Sequence, residues 1–97
     1  MYAVIFKAEL NELDQEYIGS ARRMRELAQT KYGCVDFISV TEGTQEISIS
    51  YWENEEQIKQ WKNDPEHITA QQLGRNKWYQ SYEVQIVKIE RQSSRNS

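Results

Sequence analysis

The apolar residues of this chain change period along its length, from alternation to helical spacing and back, and the order of those changes admits few folds. Residues 2–8, YAVIFKA, are β-branched and aromatic for most of their length and stop where Glu9, Asn11 and Glu12 appear, which reads as a strand. Leu13, Tyr17, Ala21, Met24 and Ala28 then recur at three- and four-residue steps, predicting an amphipathic helix over 13–31 with Asp14 as N-cap. Gly33 supplies a stop signal, and CVDFISV predicts a second strand ending at Val40. After a turn around Gly43, EISISYW alternates strictly, with Ile47, Ile49 and Tyr51 on one face and Ser48, Ser50 and Trp52 on the other. Asn54 and Gln57 give a capping signal for a short helix carrying Ile58 and Trp61. Asn63-Asp64-Pro65 interrupts that helix, and Pro65, with Asp64 as cap, restarts it over 65–79 at a different angle. YEVQIVKIE predicts the last strand.

The resulting order, βαββαβ with the second helix broken, is the split βαβ of a ferredoxin-like α+β sandwich: a four-stranded antiparallel sheet with helices on one face. Both faces of the outer strands carry apolar side chains: Tyr2, Val4 and Phe6 against Ala3 and Ile5, and Val84 and Ile86 against Val87 and Ile89. An open sheet of this kind exposes a patch at or above what monomers tolerate, so a homodimer through the sheet face is expected. The 97 residues make one domain, placed at 1–91, followed by a polar tail over 92–97 expected to be disordered.

Composition removes several functional classes. Fifteen acidic residues face 12 basic ones without a long block of either sign, which argues against a nucleic acid partner. The apolar start, Met1 to Phe6, is too short for a signal-peptide core or a membrane span, so no membrane partner and a cytoplasmic location are expected. Cys34 stands alone beside Val35 and Phe37 and reads as a packed thiol rather than a nucleophile. A metal site would need convergent histidines or a carboxylate cluster; the chain has a single histidine, and no metal is expected. Arg22-Arg23-x-Arg25 resembles a solvated helix face.

All three tryptophans, the histidine and the proline fall between Tyr51 and Tyr82. Trp52 and Trp61 in W-x(8)-W spacing, the Asp64-Pro65-Glu66-His67 turn, Ala70-Gln71, Gly74-Arg75 and Trp78-Tyr79 together resemble the antibiotic biosynthesis monooxygenase family of dimeric α+β barrels. That family includes cofactor-free anthrone and quinol oxygenases and, more remotely, haem-degrading oxygenases. The resemblance covers most of the domain and is dense from about Ile47 to Arg91. It implies a ligand cavity between sheet and helices, lined by the broken second helix. Helical spacing independently puts His67, Gln71, Arg75 and Trp78 on one stripe, with Tyr82 following.

The resemblance implies a cofactor-independent monooxygenase acting with dioxygen on a quinol-like or polycyclic aromatic molecule, with no bound cofactor. Such chemistry needs a flat aromatic to be held and negative oxygen to be stabilised. Trp61, His67 and Arg75 are the catalytic candidates: Arg75 as cation, His67 as a proton acceptor near neutral pH, Trp61 as part of a stacking wall. Tyr51, Gln71, Trp78 and Tyr82 are the substrate-binding candidates. Each has a plainer reading beside it. Trp61 with Ile58 can clamp helix to sheet, His67 can be a helix-start residue near Asp64, and Arg75 can pair with Glu66 or Glu83. Trp78 and Tyr79 can anchor the last strand. A non-catalytic dimer that binds a small ligand is the alternative function. Haem binding or degradation is disfavoured, since Gln71 falls where haem-degrading relatives carry the axial histidine and about Lys7 where they carry an asparagine.

Overall fold

The computed structural model describes residues 1–95. Its elements run β1 (Tyr2–Leu10), α1 (Gln15–Thr30), β2 (Asp36–Glu42), β3 (Gln45–Trp52), α2 (Glu55–Lys62), α3 (Pro65–Leu73), a π-helical turn (Gly74–Trp78) and β4 (Tyr79–Lys88). The strands form one antiparallel sheet in the order β2-β3-β1-β4, so the first and last strands are neighbours and the ferredoxin-like split βαβ is realised.

The helix starts follow from side-chain caps. Asp14 Oδ1 accepts the Tyr17 amide at 2.9 Å, Asn54 Oδ1 the Gln57 amide at 2.9 Å, and Asp64 Oδ1 the Glu66 amide at 2.8 Å. Because Asp14 is the cap, α1 begins at Gln15, and Leu13 lies outside the helix and exposed rather than on its apolar stripe. Pro65 opens α3, where its missing amide hydrogen is no loss. After α1 the chain turns through Gly33 at φ +81°, where a β-carbon would meet the Gln57 amide group at 2.7 Å. The second strand begins two residues later than its apolar run, so that Cys34 stays buried ahead of it and donates its thiol to Asp36 O at 3.1 Å.

The helix expected over 65–79 changes character at its middle. α3 ends at Leu73, and the next five residues form a π turn in which the Tyr79 amide reaches back to Gly74 O. Gly74 is buried against the Tyr79 ring: a β-carbon there would lie 2.5 Å from Tyr79 Cε2. The wider turn breaks the helical stripe after Arg75.

Two buried clusters hold the helices to the sheet. Val4, Leu27, Ala28, Cys34, Trp52, Ile58 and Trp61 form one; Ala8, Leu10, Tyr17 and Trp78 form the other, with Phe6, Leu73 and Tyr79 packed against it. The opposite face of the sheet is uncovered. There Ile38, Ile49 and Ile5 lie abreast, beside the rows Val40-Ile47-Lys7 and Tyr51-Ala3-Val87. Ile38 is 53% exposed and Val40 60%. Residues 89–95 have no regular secondary structure, and the end of the expected tail, 96–97, lies outside the described residues.

Candidate functional site

Between the sheet and the three helices lies a cavity of about 570 Å³, lined by members of both core clusters. This is within the range of small-molecule sites. Its floor is the helix-side face of the sheet, where Val4 and Phe6 of β1 stand beside Ser48 and Ser50 of β3, Phe37 and Ser39 of β2, and Val84 of β4. The strict alternation of β3 thus turns its serines toward the helices and its isoleucines outward. Ser50 is buried and accepts the Trp52 indole N–H at 2.8 Å, which satisfies both groups inside the domain.

Trp61 belongs to the wall and to the core at once. It is buried, its Nε1–H donates to Met24 O at 3.1 Å, and its ring lies 5.1 Å from Trp52. On its cavity side it meets the His67 ring edge to face at 4.4 Å. The next residue on the stripe, Gln71, places its Nε2 3.0 Å from His67 Nδ1. With an amide N–H donated to Nδ1, the neutral imidazole carries its own proton on Nε2. Burial, reinforced by the Lys62 charge and opposed by Asp64, lowers the His67 pKa to about 4. His67 is therefore neutral at pH 7 and a weaker base than a proton acceptor near neutrality requires, which corrects that expectation. What it offers at pH 7 is an N–H donor.

Cations ring this pocket. Arg75 reaches the cavity and makes no ion pair among the described residues; Glu66 pairs instead with Arg23 at 2.8 Å. Arg22 and Arg25 of α1 and Lys62 of α2 also line it. Arg25 is held by the Phe37 carbonyl at 2.8 Å and lies 5.5 Å over the Phe37 ring. Lys62 is half-buried, and desolvation lowers its pKa. Glu46, a carboxylate on the same wall, accepts the Tyr17 hydroxyl. Burial in this corner, then the bond to Glu46, pushes the Tyr17 phenol well above its ordinary pKa.

Tyr79 and Tyr82 both face the cavity although they are an odd number of residues apart. A β-bulge explains it: opposite Glu9 and Leu10 the β4 partners skip from Ser81 to Tyr79, so that Gln80 is unpaired and Tyr79 swings to the cavity side. Its ring sits 5.1 Å from Phe6 and 5.8 Å from Tyr82, and burial pushes its phenol up to about 12.

Five of the expected site residues thus converge: Trp61, His67, Gln71, Arg75 and Tyr82. The structure does not bring Tyr51 or Trp78 to them. Tyr51 pairs with Ala3 and Asp36 on the uncovered face of the sheet. Trp78, carried off the stripe by the π turn, is buried in the second cluster; its indole donates to Asp14 Oδ1 at 3.2 Å and stands T-shaped to Tyr17. It is an anchor for the start of α1. The residues that sequence reasoning passed over are Tyr17, Arg22, Arg25, Glu46, Lys62 and Tyr79. Only α1 carried a signal, since Tyr17 and Met24 share its apolar stripe and flank the arginines.

The two positions that count against haem stay unsuited to it in the structure. Gln71, an amide already bonded to His67, is a poor iron ligand, and Lys7 lies on the far face of the sheet. Among the described residues no group of three or more His, Cys, Asp or Glu side chains converges on a point that could hold a metal ion. No described helix is long and apolar enough to cross a membrane.

Solved structures show the same fold. SnoaB, a cofactor-independent oxygenase from Streptomyces nogalater, superposes with a TM-score of 0.77 at 11% identity, over 94% of each chain. An antibiotic biosynthesis monooxygenase gives 0.74 at 12% identity, over 92% of this chain and 98% of that one. A conserved protein from Methanosarcina mazei gives 0.77 at 18% identity, over 90% of each. No protein-family model matches the chain. In sequence, the uncharacterized protein YqjZ of Bacillus subtilis is 39% identical over 92 residues, which is 94% of this chain and 81% of YqjZ. The chain therefore belongs to the family of YqjZ and is built on the antibiotic biosynthesis monooxygenase fold.

Proposed function

We propose that this protein is a cofactor-independent monooxygenase that oxidises a quinol-like or polycyclic aromatic molecule with dioxygen. The observation that carries the reading is the combination, in one cavity, of an aromatic wall from Trp61, Phe37, Phe6 and Tyr79 with cations and the N–H of neutral His67. A flat electron-rich substrate stacks on the wall. The positive field of Arg75, Arg22 and Lys62 lowers the cost of losing its phenolic or benzylic proton to solvent, and His67 Nε2–H donates to the anionic oxygen. The anion gives one electron to dioxygen, radical and superoxide recombine in a C–O bond, and the peroxide loses water to leave a carbonyl. One dioxygen is consumed, one oxygen atom enters the product and the other leaves in water.

A homodimer through the uncovered sheet face is part of this reading. The rows around Ile38, Ile49 and Val40 support it, because a second copy would remove them from water. A non-catalytic binder is the second reading, favoured by the low pKa of His67, which leaves the cavity without a strong base at neutral pH.

Oxygen uptake with a panel of quinols and anthrones tests the enzyme. The expected result is uptake that is lost in folded Trp61→Phe and Arg75→Ala variants. Saturable binding of the same compounds without uptake would sink the enzyme and leave the binder.

A further inference from the structure

We propose that Glu46 is the general base of this cavity: the carboxylate oxygen not bonded to Tyr17 takes the proton that the substrate loses before dioxygen adds, and later returns it. This deepens the proposed function and rests on its premise that an aromatic molecule with an acidic proton is oxidised in the cavity.

Glu46 is the one carboxylate among the described residues that line the cavity. The alternation of β3 sets it on the helix side with Ser48 and Ser50, half-buried, opposite Ala8 of β1 and Thr41 of β2. Its Oε2 accepts the Tyr17 hydroxyl, which holds the side chain against α1. Its Oε1 has no hydrogen-bond partner among the described residues. Other groups on the wall have no electron pair free for this step. His67 carries its proton on Nε2 and has Nδ1 engaged by Gln71 at 3.0 Å. Tyr17 and Tyr79 keep their phenolic protons, since burial raises the pKa of both. Arg22, Arg25, Lys62 and Arg75 are cations.

Donor and base also stand apart. His67 is joined through Trp61 to the first core cluster, and Glu46 through Tyr17 to the second. In an anthrone the oxygen that becomes anionic and the carbon that loses the proton lie across one ring from each other, which needs such a separation. The C–H bond breaks, its electron pair passes through the ring onto that oxygen, and an O–H bond forms on Glu46. A carboxylate is a weak base for a carbon acid, and the cations and the His67 N–H lower the demand on it by stabilising the anion. Dioxygen takes one electron, recombination makes the C–O bond, and the peroxide anion recovers the proton from Glu46. Loss of water from the hydroperoxide leaves the carbonyl and the carboxylate as it began.

The test is oxygen uptake with anthrone, above the rate without protein, by the native chain, Glu46→Gln and Glu46→Ala, beside anaerobic binding of anthrone read by quenching of tryptophan fluorescence. Glu46→Gln keeps an acceptor for the Tyr17 hydroxyl and should bind anthrone within severalfold of native, while its turnover falls about 100-fold. Added formate, a carboxylate small enough for the vacated space, should restore part of the rate of Glu46→Ala and none of that of Glu46→Gln. A folded Glu46→Gln that turns over at the native rate would overturn the base and leave the enzyme standing. So would a slow Glu46→Ala that formate does not rescue. No uptake by the native chain with anthrone would overturn Glu46 as a base for this carbon acid, and no uptake with the quinols either would overturn the enzyme as well.

Discussion

The indole of Trp61 meets the His67 imidazole edge to face, with centroids 4.4 Å apart and planes at 80°. Through the same side chain's N–H to Met24 O, this contact joins α1, α2 and α3 at one corner of the cavity. The two readings of Trp61 left open by the sequence, core clamp and ligand wall, therefore describe one residue seen from its two sides.

Replacing Trp61 separates them. Trp61→Ala empties a buried site between Trp52, Phe37 and His67 and should cost about 3–5 kcal/mol of stability. Trp61→Phe keeps most of the packing and loses the Nε1–H, so it should unfold closer to the native chain while binding aromatic ligands more weakly. Urea unfolding beside a ligand titration checks both. An alanine variant as stable as the native chain would contradict the packing.

His67 should titrate with a midpoint of about 4, followed through its ring proton resonances. The unfolded chain takes up that proton near the ordinary value of 6.5, so between about pH 6.5 and 4 the unfolded state binds more protons and stability falls as pH falls. The loss from this residue is up to about 3 kcal/mol. The groups around it are Lys62, whose charge works with burial, Asp64, which works against it, and the Gln71 amide. A His67→Phe variant should show a flatter decline over that window. A midpoint above 6 would remove the basis for treating His67 as a neutral donor.

Gly74 should resist substitution even though alanine is the better helix former. A β-carbon at 74 meets the Tyr79 ring at 2.5 Å, and that ring is hemmed in by Phe6 at 5.1 Å and Tyr82 at 5.8 Å. Gly74→Ala should destabilise by about 1–3 kcal/mol through overpacking. It should also weaken ligand binding, because Tyr79 can yield only by moving within the cavity. Thermal unfolding that matches the native chain would show that the ring has room.

These outcomes bear on what the sequence carried. Caps at Asp14, Asn54 and Asp64, the break at Pro65 and the strand alternation depend on neighbours within a few residues, and they made the ferredoxin-like order legible. The helical stripe placed His67, Gln71 and Arg75 in the cavity for the same reason. Trp78 escaped because a π turn changes the rotation per residue, and Tyr79 because a bulge reverses strand parity; both are set by long-range packing on β1. Tyr51 was misplaced because alternation gives two faces without saying which is covered, and the serine face of β3 is the covered one. Arg22 and Arg25 are solvent-exposed, as their place on a charged helix face implied, and the helix–sheet gap brings them to the rim of the cavity as well.

The uncovered sheet face gives the last prediction. Ile5, Ile38, Ile47, Ile49 and Val40 lie in adjacent register on one surface, and Ile38 and Val40 are more than half exposed at 53% and 60%. Leaving such a surface in water forfeits about 25 cal/mol for every Å² of apolar area that a partner could cover. A protein of this size has little core to offset it. Light scattering at micromolar concentration should give twice the mass of the 11.6 kDa chain. Ile49→Glu, at the centre of the patch and pointing away from the cavity, should give the single-chain mass and leave ligand binding within severalfold of native. A native chain that scatters as a monomer would rule out this interface, and the isoleucine face of β3 would then need another explanation.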